Sequence, residues 1–129
     1  MRYSWRAPFL IGSTFRLAYG MGAMLAPEWM GEHLAPTLQG HPDPRMNLRG
    51  FGGAQSGIAL YTLATAPTPE RARAVLGLNV LVDALDTGVS LLEWRARGKL
   101  DRMARGGVVV NVFSLTCWAA AWVGLRRAE

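Results

Sequence analysis

The sequence predicts an all-α fold, an integral membrane bundle of four antiparallel helices within one domain of 129 residues. Half of the residues are hydrophobic and only 18% are charged. Four apolar stretches of about 20 residues, the length of helix that crosses a bilayer's hydrocarbon core, are separated by proline and glycine. The few charges inside these stretches share helix faces with other polar residues, which indicates a polar interior rather than a polar surface.

The four predicted spans cover residues 7–26, 46–66, 73–94 and 106–125. The first has Arg16 near its centre, and Trp5 before it and Trp29 after it suit the two membrane interfaces. The second has no charged residue between Arg49 and Glu70, which is typical of a membrane-spanning helix. The fourth is equally free of charge, whereas the third carries two aspartates.

Helix-breaking residues lie between the predicted spans. In lipid each helix must satisfy its own backbone hydrogen bonds, so such residues belong in the connectors. The first connector, residues 27–44, is the longest, and residues 28–34 within it favour a short interfacial turn of helix. The breakers are Pro27, Pro36, Pro42, Pro44, Pro67, Pro69 and Gly98.

The basic residues favour a membrane location and leave the orientation open. The formal net charge is +5, and the basic residues cluster beside the apolar stretches, above all between Arg95 and Arg105 around Lys99. No nucleic-acid-binding motif accompanies them, so no nucleic-acid partner is predicted. The arginines that flank the first and last spans favour both termini inside. Each membrane face then carries six basic residues, so the positive-inside rule does not decide.

Two other interpretations of the apolar stretches are disfavoured. Arg2 and Arg6 precede an apolar run as in a signal peptide, but Arg16 interrupts that run and no clean small-x-small cleavage site follows, so the segment is expected to be a retained helix. A soluble four-helix bundle would carry regular charges on its outer faces, which the second and fourth stretches lack. The single cysteine, Cys117, excludes an intrachain disulfide and is expected to pack as a small hydrophobic residue.

A polar stripe runs along the third predicted span. Asn79, Asp83, Asp86 and Ser90 are spaced i, i+4, i+7 and i+11, which places them within about 40° of one line on an ideal helix. A charge at the centre of a membrane helix costs about 2.5–3.5 kcal/mol on insertion scales. The stripe is therefore expected to face the interior of the bundle.

The other spans offer partners for this stripe. Arg16 is the expected countercharge for one aspartate, and Arg49 is a candidate for the second. Asn111 shares a face of the fourth span with other polar residues and with tryptophans. Two outcomes stay open. The arginines can form structural ion pairs, or they can leave one of Asp83 and Asp86 as a surplus carboxylate that binds a ligand or exchanges a proton near neutrality.

The remaining motifs are less specific. Gly53 and Gly57 form a GxxxG spacing, which favours close helix packing within the chain over dimerisation. Two acids and two histidines of the first connector match no metal motif, so neither a metal nor a cofactor is predicted. They are Glu28, Glu32, His33 and His41. The chain also lacks a phosphate-binding glycine loop and a nucleophile elbow.

Two short segments resemble those of a known group of proteins. The sequence Arg49-Gly50-Phe51-Gly52-Gly53 resembles the Arg-x-x-Gly-Gly opening of small DoxX-like bacterial membrane proteins. The residues from Asn79 to Asp86, followed by Glu93-Trp94-Arg95, are similar to an uncharacterised relative of that group. The resemblance implies a four-helix membrane protein, often an accessory subunit, sometimes linked to quinone-dependent redox systems. It assigns no catalytic residues, and this chain has no cysteine pair for redox chemistry.

The sequence thus predicts a small multi-pass protein of the inner cell membrane. Its expected role is that of an accessory subunit, or of a binder of an apolar, for example quinone-like, ligand. The expected partners are the bilayer and either another membrane protein or a second copy of the chain. The alternative is a membrane enzyme or proton-coupled carrier. There Asp83 and Asp86 would be the acid or base, and Arg16 and Arg49 would hold an anionic or carbonyl group.

Overall fold

The computed structural model describes residues 4–34, 44–66, 68–98 and 102–127. These residues form five α-helices, which we number in chain order: α1 Arg6–Leu25, α2 Pro27–Leu34, α3 Pro44–Thr65, α4 Pro69–Arg97 and α5 Arg102–Arg126. The all-α prediction is confirmed. Several residues used in the sequence analysis lie outside the described ranges, namely Arg2, Pro36, His41, Pro42, Pro67 and Lys99.

The described helices number five rather than four. The additional one, α2, coincides with the short helical turn expected at residues 28–34, and it follows α1 after Ala26 alone. The four long helices match the four predicted spans, but α4 is longer than residues 73–94 because it starts at Pro69. The sequence pattern therefore located each long helix. In the connector after α1 it predicted a short turn of helix, where the structure has a helix of eight residues.

Local capping sets the ends of α4. The Thr68 side chain accepts a hydrogen bond from the Arg71 backbone N–H at 3.5 Å, and Pro69 follows in the first turn, where its missing N–H costs nothing. Gly98 ends the helix with φ +66°, a left-handed conformation that glycine adopts without a Cβ penalty. These two signals fix where α4 begins and ends.

The four long helices pack with antiparallel neighbours. Trp5, the residue before α1, lies against Gly124 of α5, while Phe15 of α1 meets Phe113 of α5, so these two helices run in opposite directions. Helix α1 packs against α3 and α5. Helix α4 packs against the same two helices on the opposite side of the bundle. Among the described residues the α1 and α4 backbones do not approach each other, so these helices lie diagonally across the bundle.

The closest backbone approach joins α1 to α3 at two glycines. A Cβ on Gly52 would lie 2.5 Å from the Gly20 carbonyl oxygen, and a Cβ on Gly20 would lie 2.8 Å from the Ser56 backbone nitrogen. Any larger residue would force the helices apart. The expected close packing at Gly53 and Gly57 is not observed, because a Cβ at either would meet nothing within 4 Å.

A hydrophobic cluster closes the end of the bundle where α1 and α4 begin and α5 ends. Phe9 packs edge-on against both Trp5 and Trp118, with ring centroids 5.7 and 5.9 Å apart. The cluster consists of Trp5, Phe9, Ala72, Leu76, Trp118, Ala121 and Leu125. The cluster joins α1, α4 and α5 beyond the Asn79 end of the polar stripe.

Two of the described helices, α4 over Pro69–Ala96 and α5 over Arg105–Arg126, are long and apolar enough to cross a membrane. Helices α1 and α3 do not meet that criterion, since Arg16 interrupts α1 and glycine, hydroxyl and amide residues dilute α3. Large hydrophobic side chains are nevertheless exposed on all four. On α4 they include Leu78, Leu81, Leu85, Val89 and Leu92.

Candidate functional site: a polar column between the helices

Asp83 lies at the centre of the bundle and is held from two other helices. Arg16 of α1 donates through Nη2 to Oδ1 of Asp83. Trp118 of α5 donates through Nε1 to Oδ2 at 2.7 Å. The residue is 3% exposed. Both carboxylate oxygens therefore have a donor, which is how a buried charge is tolerated.

Arg16 reaches its partner across the bundle diagonal. The α1 and α4 backbones are not in contact, so the length of the arginine side chain makes the connection. Its guanidinium carbon also lies 5.9 Å from the centroid of the Trp118 ring, close enough for a cation–π interaction. The expected ion pair between Arg16 and Asp83 is thus present, and the tryptophan joins both members.

Asn79 forms the layer one helical turn before Asp83. Its Nδ2 donates to Thr62 Oγ1 of α3 at 2.9 Å and to the Val75 carbonyl oxygen at 2.8 Å. Asn79 and Thr62 are both fully buried. This hydrogen bond ties α4 to α3 in the part of the bundle nearest the hydrophobic cluster.

Asp86 forms the layer on the other side of Asp83, and its surroundings differ. Gln55 of α3 donates through Nε2 to Oδ2 of Asp86 at 3.2 Å. Tyr19 of α1 is partly buried and packs edge-on against Phe51, which lies one helical turn before Gln55 on α3. Asp86 is half-buried, and within the described ranges neither arginine nor lysine is paired with it. Of the two aspartates, Asp86 is therefore the one that no arginine or lysine of the described ranges neutralises.

Hydroxyl groups near the aspartates bond to their own helices. Thr87 Oγ1 donates to the Asp83 carbonyl oxygen at 2.7 Å, and Ser90 Oγ donates to the Asp86 carbonyl oxygen at 3.1 Å. On α1, Ser13 Oγ donates to the Phe9 carbonyl oxygen at 2.8 Å. Such bonds satisfy a hydroxyl in an apolar environment without a partner helix. Ser90 therefore continues the stripe without adding a bond across it.

The other candidate residues are divided between interior and surface. Asn111 is buried on α5, as its shared face with Ser114 implies. Arg49 is exposed near the start of α3, and the α3 side chain that reaches Asp86 is Gln55. Six residues separate the two on α3, about 9 Å along the helix axis. The arginine is therefore at a different height from the aspartate.

Sequence reasoning missed four members of the column, Gln55, Thr62, Tyr19 and Trp118 in its role as donor to Asp83. Gln55 is the single amide in the uncharged stretch of α3 between Arg49 and Glu70, and that isolation was a usable signal. Trp118 was placed on the inner face of its span without a partner. A buried tryptophan usually finds an acceptor for its N–H, which points to the nearest carboxylate.

His41 lies outside the described residues, and Glu28, Glu32 and His33 do not form a metal site in the described part of the chain. There, groups of three His, Cys, Asp or Glu side chains that could hold a metal ion do not occur. His33 instead stacks on Trp29, with ring centroids 4.7 Å apart, and its Nδ1 lies 2.8 Å from the Trp29 carbonyl oxygen. No protein-family model matches the chain, and neither a curated protein nor a solved structure matches it.

Proposed function

We propose that the chain is a multi-pass protein of the inner cell membrane, with α1, α3, α4 and α5 as its spans. It works by binding and not by catalysis. Its role is that of an accessory subunit or of a binder of an apolar small ligand. The DoxX-like resemblance belongs to the same proposal, since an accessory role is what that group implies.

The observation that carries the membrane assignment is the distribution of polar and apolar side chains. Arg16, Asp83 and Asn79 are buried, while large hydrophobic side chains cover the outside of α4 and α5. Of the most apolar stretch of each helix, only 22% is buried in α4 and 39% in α5, whereas a core helix of a soluble protein is mostly buried. A lipid environment stabilises this arrangement and water does not.

The polar column supports the inclusion of α1 and α3 among the spans. Arg16 would be costly in lipid by itself, but Asp83 compensates its charge inside the bundle. The glycine contact between Gly20 and Gly52 packs α3 closely against α1. Close contacts of small residues are the usual way in which membrane helices associate. The ion pair of Arg16 with Asp83 and the glycine contact with α3 therefore offset the cost of placing α1 and α3 in the membrane.

The closed layer around Asp83 supports binding over catalysis. Its two carboxylate oxygens are occupied by Arg16 and Trp118. A general acid or base must reach a substrate proton within hydrogen-bond distance. Arg16 and Asp83, the most buried charged side chains among the described residues, are engaged with each other and so contribute to structure.

Membrane insertion is tested by labelling introduced cysteines from each side of sealed vesicles, in a Cys117→Ser background. Ser4→Cys marks the start of α1 and Ala26→Cys marks its end, and both positions are exposed. Labelling of the two from opposite sides is expected. Labelling of both from one side would show that α1 does not cross and would overturn the four-span proposal.

The binding role is tested by native mass spectrometry of the protein released from detergent micelles after gentle extraction. We expect a retained small apolar molecule or a stoichiometric partner subunit. A chain that is released bare and alone from every extraction would contradict the proposal.

A second candidate, a proton-coupled carrier or membrane enzyme, is favoured by one observation. Asp86 is half-buried and its described contact is an amide, so its carboxylate is less engaged than that of Asp83. Proton uptake into proteoliposomes separates the two functions. Uptake that Asp86→Asn abolishes while the fold persists would replace the binding role by the carrier role.

A further inference from the structure

We propose that Asp86, with Gln55 and Tyr19, binds an amphiphilic ligand that carries a protonated or quaternary amine on an apolar body. The inference rests on the proposed membrane location, and it names the ligand class that the binding role leaves open. It places the cationic head at the Asp86 carboxylate and the apolar body along the outer side of the α3–α4 seam.

The first step of the argument is charge balance. In the described part of the bundle, Arg16 is committed to Asp83, and the α3 group that meets Asp86 is the neutral amide of Gln55. A hydrogen bond from an amide satisfies one lone pair of a carboxylate and leaves its charge. A carboxylate in an apolar belt attracts a cation more strongly than one in water does. The site is therefore matched to a positively charged group.

The second step is the position of Asp86 on its helix. On an ideal helix, Asp83 is rotated about 60° from Asp86 towards the bundle centre, and Val82 and Val89 are rotated by about 40–60° in the other direction. Val89 is 60% exposed and Val82 is partly buried. Asp86 thus lies at the border between the polar column and an apolar outer face. A ligand that lies on the valines brings its head group to the carboxylate.

The third step is the chemistry of the neighbouring α1 and α3 residues. Phe51 lies one helical turn before Gln55 on α3, and its ring meets that of Tyr19 on α1 edge-on, with centroids 5.9 Å apart. Phe51 is 39% exposed, so its ring is available to a ligand. Aromatic rings beside a carboxylate are the combination that recognises ammonium groups. Small inorganic cations need several oxygen ligands instead, and here the nitrogen of Gln55 faces the carboxylate.

The experiment compares two probes of the same shape that differ in charge. Benzyltrimethylammonium is permanently cationic, and neopentylbenzene is its uncharged isostere. The protein is placed in nanodiscs of zwitterionic phosphatidylcholine, which do not attract cations by themselves, and binding of radiolabelled benzyltrimethylammonium is measured by equilibrium dialysis. We expect saturable binding that neopentylbenzene displaces at least about tenfold less well than unlabelled benzyltrimethylammonium, because only the cation gains the Coulomb attraction of the Asp86 carboxylate.

Three variants locate the site. Asp86→Asn should weaken binding about tenfold, and Asp86→Glu, which keeps the charge, should stay within about threefold of the unmodified chain. Glu70→Gln is the matched control, since it removes one negative charge from an exposed position on the same helix. It should leave the affinity unchanged. Equal losses in Asp86→Asn and Glu70→Gln would overturn the proposal, because they would show a diffuse electrostatic effect.

The outcomes separate this inference from the proposed function. Alkaline carbonate extraction of the same preparation reports membrane insertion. Insertion together with equal displacement by both probes would overturn the amine site and leave the membrane assignment standing. Failure to insert would overturn the proposed function itself. The comparison of probes on the unmodified chain needs no variant, so it decides the question even if Asp86→Asn does not fold.

Discussion

Asp83 and Asp86 are the same residue type on the same helix, within one turn of each other, and their environments are opposite. Asp83 is 3% exposed and receives Arg16 and Trp118. Asp86 is half-buried and receives Gln55. The difference arises from the partner helices, since α1 and α5 supply a cation and an indole at one height and α3 supplies an amide at the other. A polar stripe on one helix therefore acquires its roles from its neighbours.

The two faces of α3 repeat this contrast in the backbone. Gly52 faces α1 so closely that a Cβ would meet backbone atoms, and Gly53 has nothing within 4 Å of its Cβ position. Of these adjacent glycines, Gly52 is therefore required for helix packing and Gly53 is not. Stability measurements on matched variants can compare Asp83 with Asp86 and Gly52 with Gly53.

Removal of the countercharge should have the largest effect. Arg16→Leu leaves Asp83 buried and unpaired, which costs about 3–5 kcal/mol of the free energy of unfolding. The measurement is a titration with SDS in mixed micelles. The double variant Arg16→Leu, Asp83→Leu should recover most of that loss, because replacing both charges by apolar groups removes the unpaired ion. An Arg16→Leu protein as stable as the unmodified chain would show that the pair does not form.

The glycine contact should have the next largest effect. In Gly52→Ala the new methyl group would lie 2.5 Å from the Gly20 carbonyl oxygen and 2.6 Å from the Met24 backbone nitrogen. Overpacking against backbone costs on the order of 3 kcal/mol. Gly53→Ala is the matched control and should be neutral or gain up to about 1 kcal/mol from helix propensity. The same SDS titration compares the two, and equal effects would contradict the packing described for α3.

The indole hydrogen bond should contribute less. Trp118→Phe keeps an aromatic ring beside Arg16 but removes the donor to Asp83 Oδ2, and the loss of a bond to a charged acceptor costs about 2 kcal/mol. Trp122→Phe on the same helix is the control. Its side chain is 40% exposed, so a change within about 0.5 kcal/mol is expected. A Trp118→Phe protein that matches this control would indicate that Arg16 alone holds Asp83.

Neutralisation of Asp86 should have the smallest effect on stability. Asp86→Asn keeps the shape and retains an oxygen that can accept from Gln55, so the free energy of unfolding should change by less than about 0.5 kcal/mol. Asp83→Asn, the same substitution one turn away, should be strongly destabilising because it leaves Arg16 without its countercharge. Equal effects of the two substitutions would remove the distinction between a structural aspartate and a binding aspartate.

The sequence was sufficient to locate the long helices and the charge that meets Asp83. Apolar length and the positions of proline and glycine marked all four long helices within a few residues. Arg16 was identified because it is the one base inside an apolar stretch, so the number of possible partners was small. A short turn of helix was expected at residues 28–34, and α2 forms there over Pro27–Leu34.

The sequence did not show which α3 residue meets Asp86. Spacing gives the face of a helix but not its height relative to a neighbour, and between α3 and α4 that height is seen in the hydrogen bond from Asn79 to Thr62. Once that bond is known, the antiparallel register brings Asp86, seven residues after Asn79, to Gln55, seven residues before Thr62. The Gly53–Gly57 spacing predicted a packed glycine on α3, but the glycine that packs is the neighbouring Gly52, on a different face of the helix.

The diagonal connection between Arg16 and Asp83 has a consequence for biosynthesis. The two residues are 67 positions apart in the chain, and a ribosome delivers the first long before the second. Between these moments every acid of the nascent protein lies outside its apolar stretches, so Arg16 has no buried carboxylate to pair with. In the proposed four-span arrangement, we expect α1 to stay at the lipid headgroups, where a long basic side chain can reach water, and to enter the bilayer fully only after α4 has been inserted.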